Sequence, residues 1–392
     1  MDTRIRPSYR FAIVGAGLAG LSLARAFARR GVTDPIVILD AKPAFLDDRT
    51  WSFWDVDAGD DTHLASGSWN RWELRDDSGA YMQQSAGAPY VSIKSRDFYA
   101  AAQTHISDSG YDLLLGRAVT SIVESAGSCV ISTRDRTIVA DYVFDARGLS
   151  GEMLGRSAVV QRFAGRRVVV DFDAFDATTA TLMDVQRDTD DGFHFFYVLP
   201  FGPREALIEN TYFARRPLSR ARLDYELDAY ITRRIGTAQP ASGYREVGSI
   251  PMSSGLTLPK RTARVIPIGL RGGCARPGSG YTFHRVQAQT ACIADAFAST
   301  ANVPSTQSFG SVAPTCDAFL IEAARRAPKL LPRAFRRLFA TIEGDRLANF
   351  MMDRAGPLET LPVLVASVLG ALEGLGDVAP VGTTRVGNLA AR

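Results

Sequence analysis

Cysteine is scarce in this chain of 392 residues: Cys129, Cys274, Cys292 and Cys316 are the only four. They lie far apart and form no CxxC pair, which argues against a zinc site and a disulfide framework and fits a reducing compartment. Histidine is as rare, with four residues, and His63, His105 and His284 cluster with neither cysteines nor acids. No metal site is expected. Neither sign of charge dominates: 45 Lys+Arg stand against 42 Asp+Glu, a net +3, too little to argue for nucleic acid. Long apolar runs are missing too. The longest late one, PVLVASVLGAL from Pro362 to Leu372, falls well short of the roughly 20 residues that span a bilayer. No signal-peptide pattern precedes a strand at about Phe11. There is no internal repeat, no Ser-His-Asp arrangement and no nucleic-acid module. A cytoplasmic protein, soluble or peripheral on a membrane, is the expectation.

What the chain does contain begins at once. Phe11 to Val14 is a short apolar run that reads as a buried strand. Gly15-Ala16-Gly17-Leu18-Ala19-Gly20 follows as GxGxxG, and helical spacing continues through Leu21, Leu23, Ala24, Phe27 and Ala28. A second strand, Ile36 to Leu39, ends in Asp40. Each part has a role in holding a dinucleotide. Gly15 permits a tight turn, Gly17 lets backbone approach a pyrophosphate, and Gly20 lets helix and strand pack closely. The helix N-terminus offers free N–H groups to phosphates, with Ala16 inside the loop, and Asp40 accepts from a ribose hydroxyl.

The βα units are interrupted rather than repeated, which favours FAD over NAD. Two later stretches agree. ADYVFDARGLS places a strand end at Asp145, like the late strand that closes over FAD in flavoproteins. RVIPIGLRGGCARPGSGYTF is similar to the strand and Pro-Gly loop beside a flavin, with Gly278 and Gly280 in a backbone-donor loop. The Gly-Asp common there is replaced by Gly269-Leu270-Arg271-Gly272-Gly273.

A further stretch, ALIENTYF from Ala206 to Phe213, is an apolar strand carrying one acid, Glu209. Alternation puts Glu209 on a face with Leu207, Thr211 and Phe213. A carboxylate on such a face is paired, exposed or kept protonated.

TWSF at Thr50–Phe53, LMD at Leu182–Asp184, DGF at Asp191–Phe193, YVLP at Tyr197–Pro200 and ENTY at Glu209–Tyr212 come in this order. With IPMSSG at Ile250–Gly255 and ARPGSGYTF at Ala275–Phe283, the set resembles the bacterial lycopene β-cyclases, within the FAD-dependent hydroxylases, reductases and cyclases. The resemblance covers roughly residues 8 to 290. It implies a cyclisation without net redox change. An acid protonates the terminal double bond of a linear polyene, the next double bond closes a six-membered ring, and a proton leaves. It also implies reduced FAD that stabilises the cation, NAD(P)H as reductant, a polyene substrate, peripheral membrane contact and contact with other carotenoid-pathway enzymes. Glu209 is then the proton donor, held neutral by an apolar cavity. Trp51, Phe53, Phe193, Phe195, Tyr197, Tyr212 and Tyr281 are the aromatic faces available to steady the cation. Asn210 replaces the family's usual Asp. His194 lines the cavity or is a satisfied structural group; Asp184 and Asp191 orient Glu209 or face solvent.

The expected architecture is α/β (α+β overall). A Rossmann-type FAD-binding domain comes from about 1–60, 90–160 and 260–300, and an antiparallel-sheet substrate domain from 61–89 and 161–259. A helical region follows over 301–376, then a disordered tail over 377–392. In the helical region Arg325, Arg326, Lys329, Arg333, Arg336 and Arg337 alternate with Leu330, Leu331, Phe335, Leu338 and Phe339. That pattern fits a helix lying on an anionic membrane or one packed on the flavin domain. The alternatives to a carotenoid cyclase are a cyclase of another prenyl or polyene chain, an NAD(P)H-consuming flavin monooxygenase or prenyl reductase, and a non-catalytic flavin-binding protein.

Overall fold

The computed structural model describes residues 9–376 apart from 126, 151–152, 154–158, 187–190, 237–242, 254–255 and 300–312. The expected tail over 377–392 lies outside the described residues. The chain opens with β1 (Tyr9–Val14), α1 (Leu18–Arg29) and β2 (Ile36–Leu39). Then come β3 (Thr50–Trp54), β4 (Ala65–Trp69), β5 (Arg71–Asp76), β6 (Gly79–Gln84), β7 (Tyr90–Lys94) and α2 (Ser95–Asp108). β8 (Asp112–Leu114), β9 (Ser121–Ser125), β10 (Ser128–Ser132) and β11 (Thr137–Asp145) return to the strands of the start.

The first sheet has the order β8-β2-β1-β11-β10-β9. Its centre is parallel, as its apolar, fully buried runs demand. α1 packs on one face, where Phe27 stacks on Phe11 at 5.0 Å.

The second sheet is built from β12 (Val159–Val169), β13 (Thr179–Val185), β14 (Gly192–Gly202), β15 (Glu205–Ala214) and β16 (Arg245–Met252). With β5 and β6 its order is β16-β12-β15-β14-β13-β5-β6. Neighbours are antiparallel except β13 and β5, which run parallel. α3 (Arg220–Ile235) covers its outer face. Ser219 caps the helix by accepting from the Arg222 N–H, and Tyr230 stacks on Phe196 at 3.9 Å. A short β17 (Val265–Pro267) pairs with β11, and α4 (Phe283–Ser299) packs on α1, bringing Phe297 edge-on to Phe11 at 5.0 Å. The fold is therefore α/β with a second, mostly antiparallel sheet. β3 and β7, expected within the nucleotide segments, instead pair with each other and with β4 in a three-stranded sheet. Their side chains explain it: on β3 Phe53 stacks on Phe283 and Trp54 packs edge-on to Trp72, and on β7 Tyr90 packs edge-on to Trp54 at 4.8 Å, so both strands serve the joint between the sheets.

Four helices close the described chain: α5 (Ala313–Arg326), α6 (Leu331–Thr341), α7 (Gly344–Met351) and α8 (Pro357–Gly376). The breaks between them fall beside Pro328, Gly344 and Gly356, and Pro332 sits in the first turn of α6. Leu331, Leu338 and Phe339 are buried, and Phe335 stacks on Phe193 at 5.2 Å. The apolar side of the basic stretch packs on α8 and on the second sheet. The greasy surface lies on α8, where Leu358, Leu361, Val365, Leu369 and Leu372 are exposed three or four residues apart. No helix among the described residues is long and apolar enough to cross a membrane.

Candidate active site

The glycine loop between β1 and α1 is shaped as its spacing demands. Gly15 has φ +108°, a region that side-chain-bearing residues rarely adopt, and its N–H donates to Leu39 O at 2.7 Å. A Cβ on Gly20 would run into Gly15 O, so only glycine lets α1 sit this close. Gly17 is the N-cap of α1, has no side-chain cap, and faces open space. Asp40 accepts the Ala16 N–H at 2.6 Å and the Lys42 N–H at 2.8 Å, tying β2 to the loop. A carboxylate has about four acceptor sites, so capacity for a ribose hydroxyl remains.

Beyond the loop runs a cavity of about 330 Å³. Gly17, Leu18, Ala19, Ala146, Arg147, Gly148, Gly269 and Gly280 are among its lining residues. Trp51, Tyr197, Tyr281 and Glu209 line it too. Asp145 stands behind this wall. Its carboxylate is held by Arg147 at 2.8 Å and Arg271 at 3.0 Å, so it anchors the loop that touches the cavity. Gly280, with φ +74°, reaches the wall, whereas Gly278 packs on Asp317 and borders the neighbouring cavity described below. An open glycine, an uncapped helix start and a long cavity fit a flavin dinucleotide.

Glu209 sits mid-strand on β15, half-buried, and lines this cavity. Burial pushes its pKa up from 4.5 to about 8, and the nearby charge of Glu246 adds to this. The Thr211 hydroxyl, donating to its Oε1 at 2.8 Å, and Arg49 oppose the rise. At neutral pH the carboxyl is therefore mostly protonated. Around it Tyr90, Tyr197 and Tyr281 form a cluster, with the Tyr90 and Tyr281 hydroxyls 3.3 Å apart. Burial raises all three phenols well above 10, so they stay neutral.

Next to this site lies a second, apolar cavity of about 80 Å³ under the C-terminal helices. Phe213, Phe335, Leu338, Phe339, Met351 and Val363 are among its lining residues, and it shares Tyr197, Ser279 and Tyr281 with the first cavity. A neutral carboxyl, a glycine-rich loop and a greasy chamber therefore meet at two tyrosines.

The profile of the lycopene cyclase protein family matches residues 11–365. This chain belongs to that family. It is 24% identical over 324 residues to the chloroplastic lycopene beta cyclase of Arabidopsis thaliana, spanning 78% of this chain and 64% of that relative's length. It is 26% identical over 350 residues to the lycopene beta-cyclase of a Paracoccus species, with 85% and 83% covered. The fold is also that of HpxO from Klebsiella pneumoniae, solved with FAD and uric acid, at a TM-score of 0.64 and 19% identity over 90% of this chain and 99% of that one.

In this lycopene cyclase-family chain the aromatic residues separate into three groups. Trp51, Tyr197 and Tyr281 line the cavity. Phe53, Phe193 and Phe195 are buried in the core between sheets and helices, Phe195 with its ring 5.3 Å from Phe213. Tyr212 is on the wrong face. It stacks on His194 at 4.0 Å and donates to Glu226 of α3, with the whole sheet between it and the cavity. Strand alternation dictates this, because Tyr212 differs from Glu209 by three positions.

Asn210 shares that outer face. Its Nδ2 donates to Leu223 O at 3.0 Å and its Oδ1 faces His194 Nε2 at 2.7 Å. It clamps α3 and does not touch Glu209. His194 is thus a satisfied structural histidine; burial lowers its pKa to about 4, so it is neutral. Asp184 accepts from Tyr230 and Asp191 pairs with Arg222, so neither orients Glu209. Among the described residues no group of three or more His, Cys, Asp or Glu side chains is placed to hold a metal ion.

Sequence reading missed Glu246. It is buried on β16, and burial raises its pKa to about 7, against the Tyr244 hydroxyl and Thr50 N–H that hold it. The available signal was an acid in REVGSIPM, flanked by strand-forming residues.

Proposed function

We propose that this protein is a carotenoid β-cyclase of the lycopene cyclase type. It closes a ring at the end of a linear polyene by acid catalysis without net redox change, converting lycopene towards β-carotene. One observation carries this reading: a neutral, enclosed carboxyl, Glu209, faces the cavity that begins at the dinucleotide-type loop. The loop, Ala146–Gly148, Gly269 and Gly280 would hold FAD; Asp40 and Asp145 brace that cradle. Reduced FAD, with NAD(P)H as the reductant, supplies negative charge that favours a cation nearby.

The chain's own residues do the rest. Glu209 hands its proton to the terminal double bond, the neighbouring double bond attacks the resulting tertiary cation to close the ring, and loss of a proton from the ring cation leaves a product isomeric with the substrate, one proton gained and one released. Trp51, Tyr197 and Tyr281 present π faces to that cation and keep water away. The apolar chamber under α6 and α8 takes the polyene behind the reacting end.

Expression in cells that accumulate lycopene tests the reading. A ring product isomeric with lycopene, formed anaerobically under reducing conditions, supports it. Reductant consumed in proportion to product marks a reductase or monooxygenase instead and overturns it.

The polyene substrate also implies contact with a lipid bilayer, and α8 is the surface for it. Val363 and Leu364 of this helix line the chamber while Leu361 and Val365 are exposed. Substrate taken from lipid beside α8 would thus enter directly. The double variant Leu361→Glu, Val365→Glu should float with lipid vesicles at least about tenfold less than the parent, each apolar side chain being worth about 1.5–3 kcal/mol on burial. Equal flotation would remove α8 from this role. Docking of other carotenoid-pathway enzymes beside the same surface belongs to the same proposal.

A further inference from the structure

Three residues of the second sheet stand in one row. Glu209 on β15 is paired with Gly165 on β12, and Gly165 with Glu246 on β16. Directly opposed residues share a face, so both carboxyls rise on the cavity side, their Cα atoms roughly 10 Å apart. Only a glycine lies between them. A Cβ on Gly165 would stand 2.9 Å from the Cγ and Oε1 of Glu246, so the Glu246 side chain leans over that vacancy.

Glu246 is fixed by one oxygen and free at the other. Its Oε2 accepts the Thr50 N–H at 2.8 Å and the Tyr244 hydroxyl at 3.0 Å. Its Oε1 is buried without a hydrogen-bond partner. An orphaned carboxyl oxygen in a dry interior is costly and calls for an explanation. Two carboxyls so placed cannot both ionise cheaply, and the donors on Glu246 favour the anion there.

On the reading that Glu209 is the proton donor, we propose that Glu246 is its positioning residue: its carboxylate, anchored by Thr50 and Tyr244, confines the pair's proton to Glu209 across the gap at Gly165. Other groups around the pair are Arg49, Thr211, Tyr90, Tyr197 and Tyr281 about Glu209, and Arg49 and Asp47 about Glu246. The tyrosines are neutral, Asp47 adds negative charge, and Arg49 opposes the effect on both acids.

Infrared titration of the buried carboxyls, in flavin-loaded protein without substrate, tests this independently of turnover. In Glu246→Gln the Glu209 band should titrate about one pH unit lower, and in Glu209→Gln the Glu246 band should fall by the same amount, as coupled sites require. Cyclisation by Glu246→Gln should then lose about fivefold more at pH 8 than at pH 6, the change in protonated fraction for a one-unit shift. If each band is unmoved when the other acid is replaced, or if cyclisation falls equally at every pH, the proposal is overturned. If Glu246→Gln does not fold, the Glu209→Gln titration decides alone. Coupled bands in a protein that cyclises no polyene would overturn the donor role of Glu209 while leaving the coupling established.

Discussion

Glu209→Gln should leave a folded, flavin-retaining protein whose rate of ring formation falls by about 10²–10⁴-fold, the usual contribution of a positioned general acid. Glutamine has the same shape and can still accept from the Thr211 hydroxyl, now 2.8 Å from Glu209 Oε1. What it lacks is a proton acidic enough for an alkene. The fold should not suffer, because burial and the charge of Glu246 already make an ionised Glu209 unfavourable. Product analysis in lycopene-accumulating cells reads the loss, with flavin absorbance and thermal melting as controls. The sign of the pH dependence follows from the same residue. On the proposed mechanism the protonated form is the active one, so the parent should be active below about pH 8 and lose cyclisation as pH rises through that value. Ring formation by the glutamine variant within tenfold of the parent would remove Glu209 from the donor role.

Gly20→Ala is expected to have the second largest effect, on the cofactor. The new methyl would collide with the backbone oxygen of Gly15 and press on Ile13, and backbone cannot swing aside as a side chain can. Overpacking of this kind costs about 1–3 kcal/mol. If it displaces the start of α1, that strain, at about 1.4 kcal/mol per decade, means roughly ten- to hundredfold weaker flavin retention. The visible flavin absorbance of the purified protein, before and after dialysis, would measure it. Unchanged flavin content with an unchanged melting temperature would show that the loop does not need this glycine. Gly17→Ala is the informative contrast, since its side is open. There the fold should tolerate the methyl, and any loss would report directly on what fills the space.

Short-range patterns carried most of what could be read from the residues alone. The glycine loop was legible because every part of it lies within about one βα unit, and the expected strand, turn and helix appear as β1, loop and α1. Glu209 was legible because two-residue periodicity fixes its companions Leu207, Thr211 and Phe213. The same periodicity excludes Tyr212 from that face, and only its place in the ENTY motif made it look like a site residue. Phe53 and Phe195 were indistinguishable from cavity residues in the sequence, since an aromatic that packs and one that lines a pocket look alike. Glu246 was out of reach for a different reason. Its relation to Glu209 runs through the register of β12 between two other strands and through the missing side chain of Gly165. Cross-strand register is a property of the assembled sheet, set by all its strands together. The surface of α8 was visible as an apolar run too short to span a bilayer, but which of its sides remained bare depended on how α6 packed.

The pair of raised acids has a thermodynamic consequence for the whole molecule. Glu209 and Glu246 bind protons more tightly in the native chain, near 8 and 7, than the ordinary 4.5 of an exposed glutamate. Between those limits the native state holds more protons than the unfolded one, so folding draws hydrogen ions from solution. The stabilisation from this pair is complete below about pH 4.5 and drains away as the medium turns alkaline through 7 to 8. A chain that keeps two such acids in its interior is thereby also a protein whose resistance to heat is set partly by the acidity around it.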